Sequence, residues 1–317
     1  MVQNSAIYSE QKGDSEARDG EFASYARLLP LDSRFYASEV SDENIDFLKV
    51  QTGFKGDDEI KKHVMKIQAD AYQVYPYPFI RWFWTSISQN PAYERLQNLG
   101  KTKPGAIFLE VPSAFGNDVR KVVADGFQPH NCIAADLEAS YWKLGHRLFK
   151  SSPETLPVTF IPGDIFDPTY LALSPPLSAL PSTPAPALPG LSSLTPLQGH
   201  VSAIHASMFF HLFDEAKQLE LARRLASLLS LAPGSLILGR QVAAPIKGPR
   251  DAVSRAPDQP VVRLFCHTPA SWAALWDGVV FKEGTVRVEA ELREVTLYAD
   301  SPPEQRVWWM LWSVTRL

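Results

Sequence analysis

Three acidic residues stand in order along the middle of the chain, each in or just after a short apolar run. Glu110 lies in FLEVPSAFG (Phe108–Gly116), Asp136 near the end of NCIAADL (Asn131–Leu137), and Asp164 closes VTFIPGD (Val158–Asp164). After Glu110 come small residues at alternate positions, then a helical pattern from Asn117. A turn of small residues lets backbone approach a ligand closely, and the helix N-terminus that follows favours an anionic group. An acid ending the next strand can accept both hydroxyls of a ribose. The chemistry suggested is the holding of a nucleoside-bearing cofactor. A nicotinamide dinucleotide would call for G-x-G-x-x-G to grip its pyrophosphate, and that pattern is absent.

Other reactive residues are scattered. His205, His211 and His267 fall on different elements, with no H-x-x-x-H pair or acidic partner at ligand spacing, so no metal site is expected. The two cysteines, Cys132 and Cys266, read as buried reduced thiols, too few for a zinc site or a disulfide framework. No nucleophile elbow of the Ser-His-Asp type is present. Arg240 and Arg263 are the arginines whose planar guanidinium could grip a carboxylate.

The elements that must position these residues follow from periodicity. Ala106–Val111, Asn131–Leu137, Val158–Asp164, His200–Ser207 and Gly234–Gly239 read as short buried strands. Asn117–Gly126, Ser140–Lys150 and Asp214–Ser230 read as helices, the last with Leu219, Ala222, Leu225, Ala226 and Leu229 on one face and Asp214 as N-cap. Strands alternating with helices predict a parallel sheet covered on both sides. The tail departs from that rhythm: Val286–Tyr298 alternates apolar and charged residues, and Val307–Leu317 is almost wholly apolar. With only the turn-rich ADSPPEQR between them, they predict an antiparallel hairpin.

Before the core, Asp42–Gln68 is helical, broken at TGFKGD. AYQVYPYPFIRWFW (Ala71–Trp84) follows, with seven aromatics in fourteen residues and prolines that stop a helix. Such a segment either plugs a core or lines a pocket. The domain reading is a disordered tail over 1–20, a helical and aromatic cap over 21–104, and an α/β core over 105–317. The Pro- and Ser-rich stretch 174–199 interrupts that core as an extended surface insertion or a disordered loop.

Composition narrows the partners. The chain has 317 residues, 45% of them hydrophobic, and a net charge of −4 without a basic run. Phosphate backbones reward clustered Lys and Arg, so no nucleic-acid partner is expected. No stretch approaches the roughly 20 apolar residues of a membrane span, and no apolar signal opens the chain, so the expected address is cytoplasmic. The apolar C-terminal strands could serve the edge of a homodimer.

The order of motifs resembles the Rossmann-like (class I) methyltransferases over residues 105–317. That family's first motif reads roughly E/D-x-G-x-G-x-G; here it is Glu110, Val111, Pro112, Ser113, Ala114, Phe115, Gly116. The terminal antiparallel hairpin also matches. YPYPFI, SAFGNDVRKVVADG and IHASMFFHLFD further look similar to fungal methyltransferases of terpenoid and meroterpenoid biosynthesis. The resemblance implies a mostly parallel sheet with the antiparallel hairpin, a helical cap, and S-adenosylmethionine as cofactor. It implies an apolar small-molecule acceptor, methylated at a carboxylate or hydroxyl oxygen.

By the same resemblance, Glu110, Pro112 and Gly116 would shape the methionine end of the cofactor, Asp136 and Leu137 the ribose, and Asp164 and Ile165 the adenine. Ser207 would sit near the transferred methyl group. Tyr75, with Tyr72, would close over the sulfonium, and Tyr77, Trp82 and Arg240 would meet the acceptor. A hydroxyl acceptor would need a base, for which His211 and His267 are the candidates. One departure stands out: Pro112 and Ala114 replace the first two glycines. That keeps a second class of reading open, a methyltransferase-like protein that binds without catalysing.

Overall fold

The computed structural model describes residues 42–75, 77–81, 85–179, 181–251, 263–295 and 307–317. The expected tail over 1–20, Trp82 and the turn ADSPPEQR lie outside them. Five short strands form the parallel part of one sheet: β1 (Phe108–Glu110), β2 (Cys132–Asp136), β3 (Thr159–Pro162), β4 (Ala203–His205) and β5 (Leu236–Ala243). A separate antiparallel pair, β6 (Gly248–Asp251) with β7 (Arg263–Cys266), follows. The chain ends with β8 (Val286–Val295) and β9 (Val307–Arg316), which rejoin the main sheet antiparallel. Strand order is β3-β2-β1-β4-β5-β9-β8. Order reverses between β1 and β4, and a crevice opens at the carboxyl ends of strands where that happens. Glu110 pairs in register with both Ala134 and His205, so the first acid of the sequence lands at this switch point.

Side chains of a strand alternate between faces, and that sorts the core. Leu109, Ile133, Ile161, Ile204 and Ile237 face α6 (Glu215–Leu228) and α7 (Pro269–Trp276). Phe108, Ala134, Ala203 and Leu238 face α3 (Tyr93–Thr102) and α4 (Asn117–Ala124). A third cluster joins α1 (Asp42–Thr52) and α2 (Asp57–Val74) to α5 (Ala139–Leu148), with Ile60, Val64, Ile67 and Ala71 of α2 against Tyr141, Leu144 and Leu148. This is the helical cap expected from the sequence. TGFKGD breaks it because Gly53 takes φ of 75°, ending α1 with its amide on the Lys49 carbonyl. On α6, Asp214 caps the N-terminus by accepting from the Lys217 amide at 2.9 Å. Leu221 and Leu228 join the expected buried face of α6, while Leu219 stays at its rim.

Two features differ from the sequence reading. The Pro-rich stretch 174–199 has almost no regular structure but is not a mere appendage. Leu188, Leu194 and Leu197 are buried in the main core, and Leu194 donates its amide to the Tyr170 carbonyl at 2.8 Å. The apolar strand β9 is not an edge: β5 and β8 flank it. The edge is β8, whose outward Arg287, Glu289, Glu291 and Arg293 are exposed. Charges on an edge strand discourage pairing with another chain. No helix among the described residues is long and apolar enough to cross a membrane.

Candidate active site

The loop after β1 is shaped as a ligand cradle although two of its glycines are missing. Ala114 has φ of 45° and Gly116 of 67°, both in the left-handed region. The loop is held by its own amides: Ser113 donates to the Ala135 carbonyl at 2.9 Å, Ala114 to Asp136 Oδ2 at 2.7 Å, and Gly116 to the Ser113 carbonyl at 2.6 Å. Pro112, joined to Val111 by a cis bond, is accommodated without loss of these contacts. A side chain at Gly116 would run into Trp142 and Arg120. A side chain at Gly145 would strike the Phe115 carbonyl, so this glycine lets α5 press directly on the loop.

Behind the loop lies Arg120, almost fully buried. Its Nη1 donates to the Phe115 and Gly116 carbonyls at 2.6 and 2.9 Å, and its guanidinium sits between Trp142 and Phe149, 4.9 and 4.8 Å from their ring centres. Burial pushes its pKa down to about 9, with the nearby Glu110 charge opposing. Asp136 closes β2, accepting from the Ala114 amide through Oδ2 and from the Glu138 amide through Oδ1 at 2.9 Å. Burial raises its pKa, and these amides oppose the rise. Each of its oxygens keeps a further lone pair. Beside it Leu137 is 67% exposed, an apolar surface at the strand end. Asp164 is exposed and turns its Oδ1 to the Phe166 amide at 2.8 Å, while Ile165 is buried in the core below.

Glu110 points to the face covered by α4. Its Oε2 accepts the Val119 amide at 3.1 Å, and its Oε1 lies 3.7 Å from His205 Nδ1. Asp118 Oδ2 stands 3.9 Å from the same nitrogen. Burial pushes the Glu110 carboxyl up to about 7, with Asp118 adding repulsion and His205 opposing. Among the described residues the buried His205 Nδ1 has no hydrogen-bond partner.

The other two histidines are poor bases. His211 lies in the turn after β4, buried, and burial drives its pKa down to about 3. His267 directly follows β7 and is buried. Its Nδ1 meets Ser271 Oγ at 2.9 Å beside the capping box that starts α7, and burial with Lys247 lowers its pKa to about 4. A base this weak takes up a proton poorly at neutral pH.

A family model described as the meroterpenoid methyltransferase N-terminal domain matches residues 35–84. The asnovolin E/chermesin D methyltransferase nvfJ of Aspergillus novofumigatus is 34% identical over 231 residues, 72% of this chain and 72% of that one. This chain belongs to the family of fungal meroterpenoid methyltransferases. Methyltransferase ausD of Penicillium brasilianum is 29% identical over 72% of each chain. Among solved structures, the Burkholderia thailandensis 1,6-didemethyltoxoflavin-N1-methyltransferase covers 90% of this chain and 93% of its own, at 12% identity and a TM-score of 0.42. Family membership sides with an enzyme over an inactive binder.

The residues of this methyltransferase fit S-adenosylmethionine. The loop keeps left-handed backbone at the second and third glycine positions of the family motif, Asp136 retains lone pairs for ribose hydroxyls, and exposed Leu137 offers an apolar surface for the purine. Ser207 follows β4, with its hydroxyl 3.4 Å from the Arg240 carbonyl. The Arg240 guanidinium stacks 4.1 Å from the Trp309 ring centre. Tyr75 and Tyr77 pack with ring centres 4.3 Å apart; Tyr77 stacks on Phe79 and lies near Tyr141, whose hydroxyl donates to the Tyr75 carbonyl at 2.7 Å. Sequence reasoning missed Asp118, which meets His205 far along the chain, and Arg120, which is held between Trp142 and Phe149. An arginine next to Val119, one turn into the helix that follows the loop, was the available signal for Arg120.

Proposed function

We propose that this methyltransferase carries a methyl group from S-adenosylmethionine to a carboxylate oxygen of an apolar small molecule of secondary metabolism. The observation that carries the acceptor class is the state of His211 and His267, pushed down to about 3 and about 4. A hydroxyl acceptor needs a base to take its proton, whereas a carboxylate is already ionised at neutral pH. Two relatives, phiE of Fungal sp. and atr3 of Stereocaulon alpinum, are named O-methyltransferases, which agrees with an oxygen acceptor.

When bound, S-adenosylmethionine supplies an electrophilic methyl carbon on a charged sulfur. The chain contributes alignment. Asp136 and Leu137 hold the nucleoside, and the loop from Glu110 to Gly116 sets the height of the methionine end. Asp164 and Ile165 flank the base, Tyr75 shields the cationic sulfur, and Ser207 borders the reacting methyl group. Arg240, stiffened by Trp309, pairs with the acceptor carboxylate two-pronged, which orients one oxygen for in-line attack.

The test is label transfer from methyl-labelled S-adenosylmethionine into an organic extract of fungal metabolites. Wild type should transfer label, Asp136→Ala should lose at least ~90% of it, and mild base should release the label as methanol, as expected of an ester. Label that survives base treatment would mean an ether or carbon product and would overturn the carboxylate reading.

A further inference from the structure

Asp118 joins two parts of the molecule. It lies in the first turn of α4, two residues after Gly116. Its Oδ1 accepts the Ser86 and Ile87 amides at 2.7 and 3.0 Å, and its Oδ2 accepts the Ser86 hydroxyl at 3.2 Å. Those donors belong to the segment that leads from the aromatic cap into the core. On its other side Oδ2 faces His205 Nδ1 at 3.9 Å, and His205 faces Glu110 at 3.7 Å. Three elements thus converge on one buried spot: the end of β1, the start of α4 and the end of β4.

Two carboxylates that close together, out of water, repel each other and have lost their hydration. His205 Nδ1 faces both and has no hydrogen-bond partner among the described residues, so a proton held within this cluster relieves the repulsion. We propose that Glu110, Asp118 and His205 form a proton-holding latch that fastens the N-terminal cap to the cofactor end of the sheet, with Asp118 and His205 as positioning residues. A divalent cation fits less well, because Asp118 already serves three cap donors and Glu110 Oε2 the Val119 amide.

The latch responds to pH. Glu110, pushed up to about 7 by burial, releases its proton to solvent as pH rises through that value, and the new anion repels Asp118. Among the described residues, the groups facing the spot are His205 from β4, Asp118 and Arg120 from α4, Cys132 from β2, and Tyr93 from α3. Of these, His205 and Arg120 are the groups that favour the anion, and the Arg120 guanidinium is committed to the loop carbonyls. Burial raises both the Cys132 thiol and the Tyr93 phenol, so neither ionises near neutrality. The latch is therefore strongest while Glu110 is protonated, weakens as pH rises through about 7 and levels off above it. Its link to cofactor affinity rests on the S-adenosylmethionine reading; its link to the cap does not.

The experiment is residue-level amide exchange at Ser86 and Ile87 in the full chain, corrected for intrinsic rate, from pH 6 to 8, alongside calorimetric titration with S-adenosylhomocysteine. Wild type should lose about tenfold protection with a midpoint near 7, and affinity should fall about fivefold over the same range. Glu110→Gln should remove both midpoints while keeping protection high. Asp118→Ala should lose at least about tenfold protection at every pH while the β5 amides stay protected, and Asp118→Asn should restore part of it. Wild-type protection independent of pH, full protection in Asp118→Ala, or a stoichiometric metal in the purified protein would each overturn the latch. Should Asp118→Ala not fold, the wild-type and Glu110→Gln series still decide. Should S-adenosylhomocysteine not bind wild type at any pH, the cofactor reading falls, and the exchange data judge the latch by themselves.

Discussion

Ala114 shows how one residue can keep a motif's geometry without its usual side chain. Its φ of 45° is one that L-residues adopt at a cost of roughly 1–2 kcal/mol. The loop holds it there with the Ala114 amide on Asp136. Glycine would relieve the strain but would give back about 0.5–1 kcal/mol through a freer unfolded chain. Ala114→Gly should therefore stabilise the protein by at most about 1.5 kcal/mol, a rise in Tm of roughly 3 °C, by calorimetry. A fall in Tm would show that the Ala114 methyl group packs against the α1–α2–α5 cluster more than it strains the backbone.

At the scale of elements, the proline-rich stretch carries the clearest consequence. Its prolines and serines keep it from forming a helix or strand, yet its leucines are spaced to reach the sheet. Leu197 is fully buried among residues of the main cluster. Leu197→Ala should cost about 2–5 kcal/mol in denaturant unfolding, as in any core. Thr183→Ala, at an exposed position of the same stretch, should stay within about 0.5 kcal/mol. Equal, small effects at both sites would return the stretch to a surface insertion. The same scale explains Gly145: with the Phe115 carbonyl directly against it, α5 can buttress the cofactor loop only because that position lacks a side chain.

At the scale of the whole molecule, the cap and the sheet are coupled through few, well-placed polar contacts. Asn90 is buried and donates to the Gly239 and Trp312 carbonyls at 3.0 and 3.1 Å, pinning the cap-to-core segment across β5 and β9. Removing it leaves carbonyls of two strands without this donor, far from it in sequence. Asn90→Ala should lower global stability by about 3 kcal/mol. The midpoint of denaturant unfolding should move with its slope unchanged. A changed slope would mean that cap and sheet unfold separately.

Much of this architecture is legible in the order of residues. The alternation of strands and helices, the antiparallel tail and the three strand-end acids follow from local periodicity, and local periodicity is what a sequence carries. The cap helices follow from the same signal, broken where Gly53 takes a left-handed turn. The missed elements are short or weakly patterned: α3, α7 and the β6–β7 pair each span ten residues or fewer. His211 and His267 can be named from sequence as bases, but only burial reveals how weakly they hold a proton. The sequence by itself determined the sheet type, the placing of three acids at strand ends and the family. Tertiary structure alone decided that β9 is internal, that the proline-rich leucines belong to the core, and that Glu110, Asp118 and His205 meet. Strand order, burial and the field at a buried group depend on residues far apart in the chain, and no local pattern encodes them.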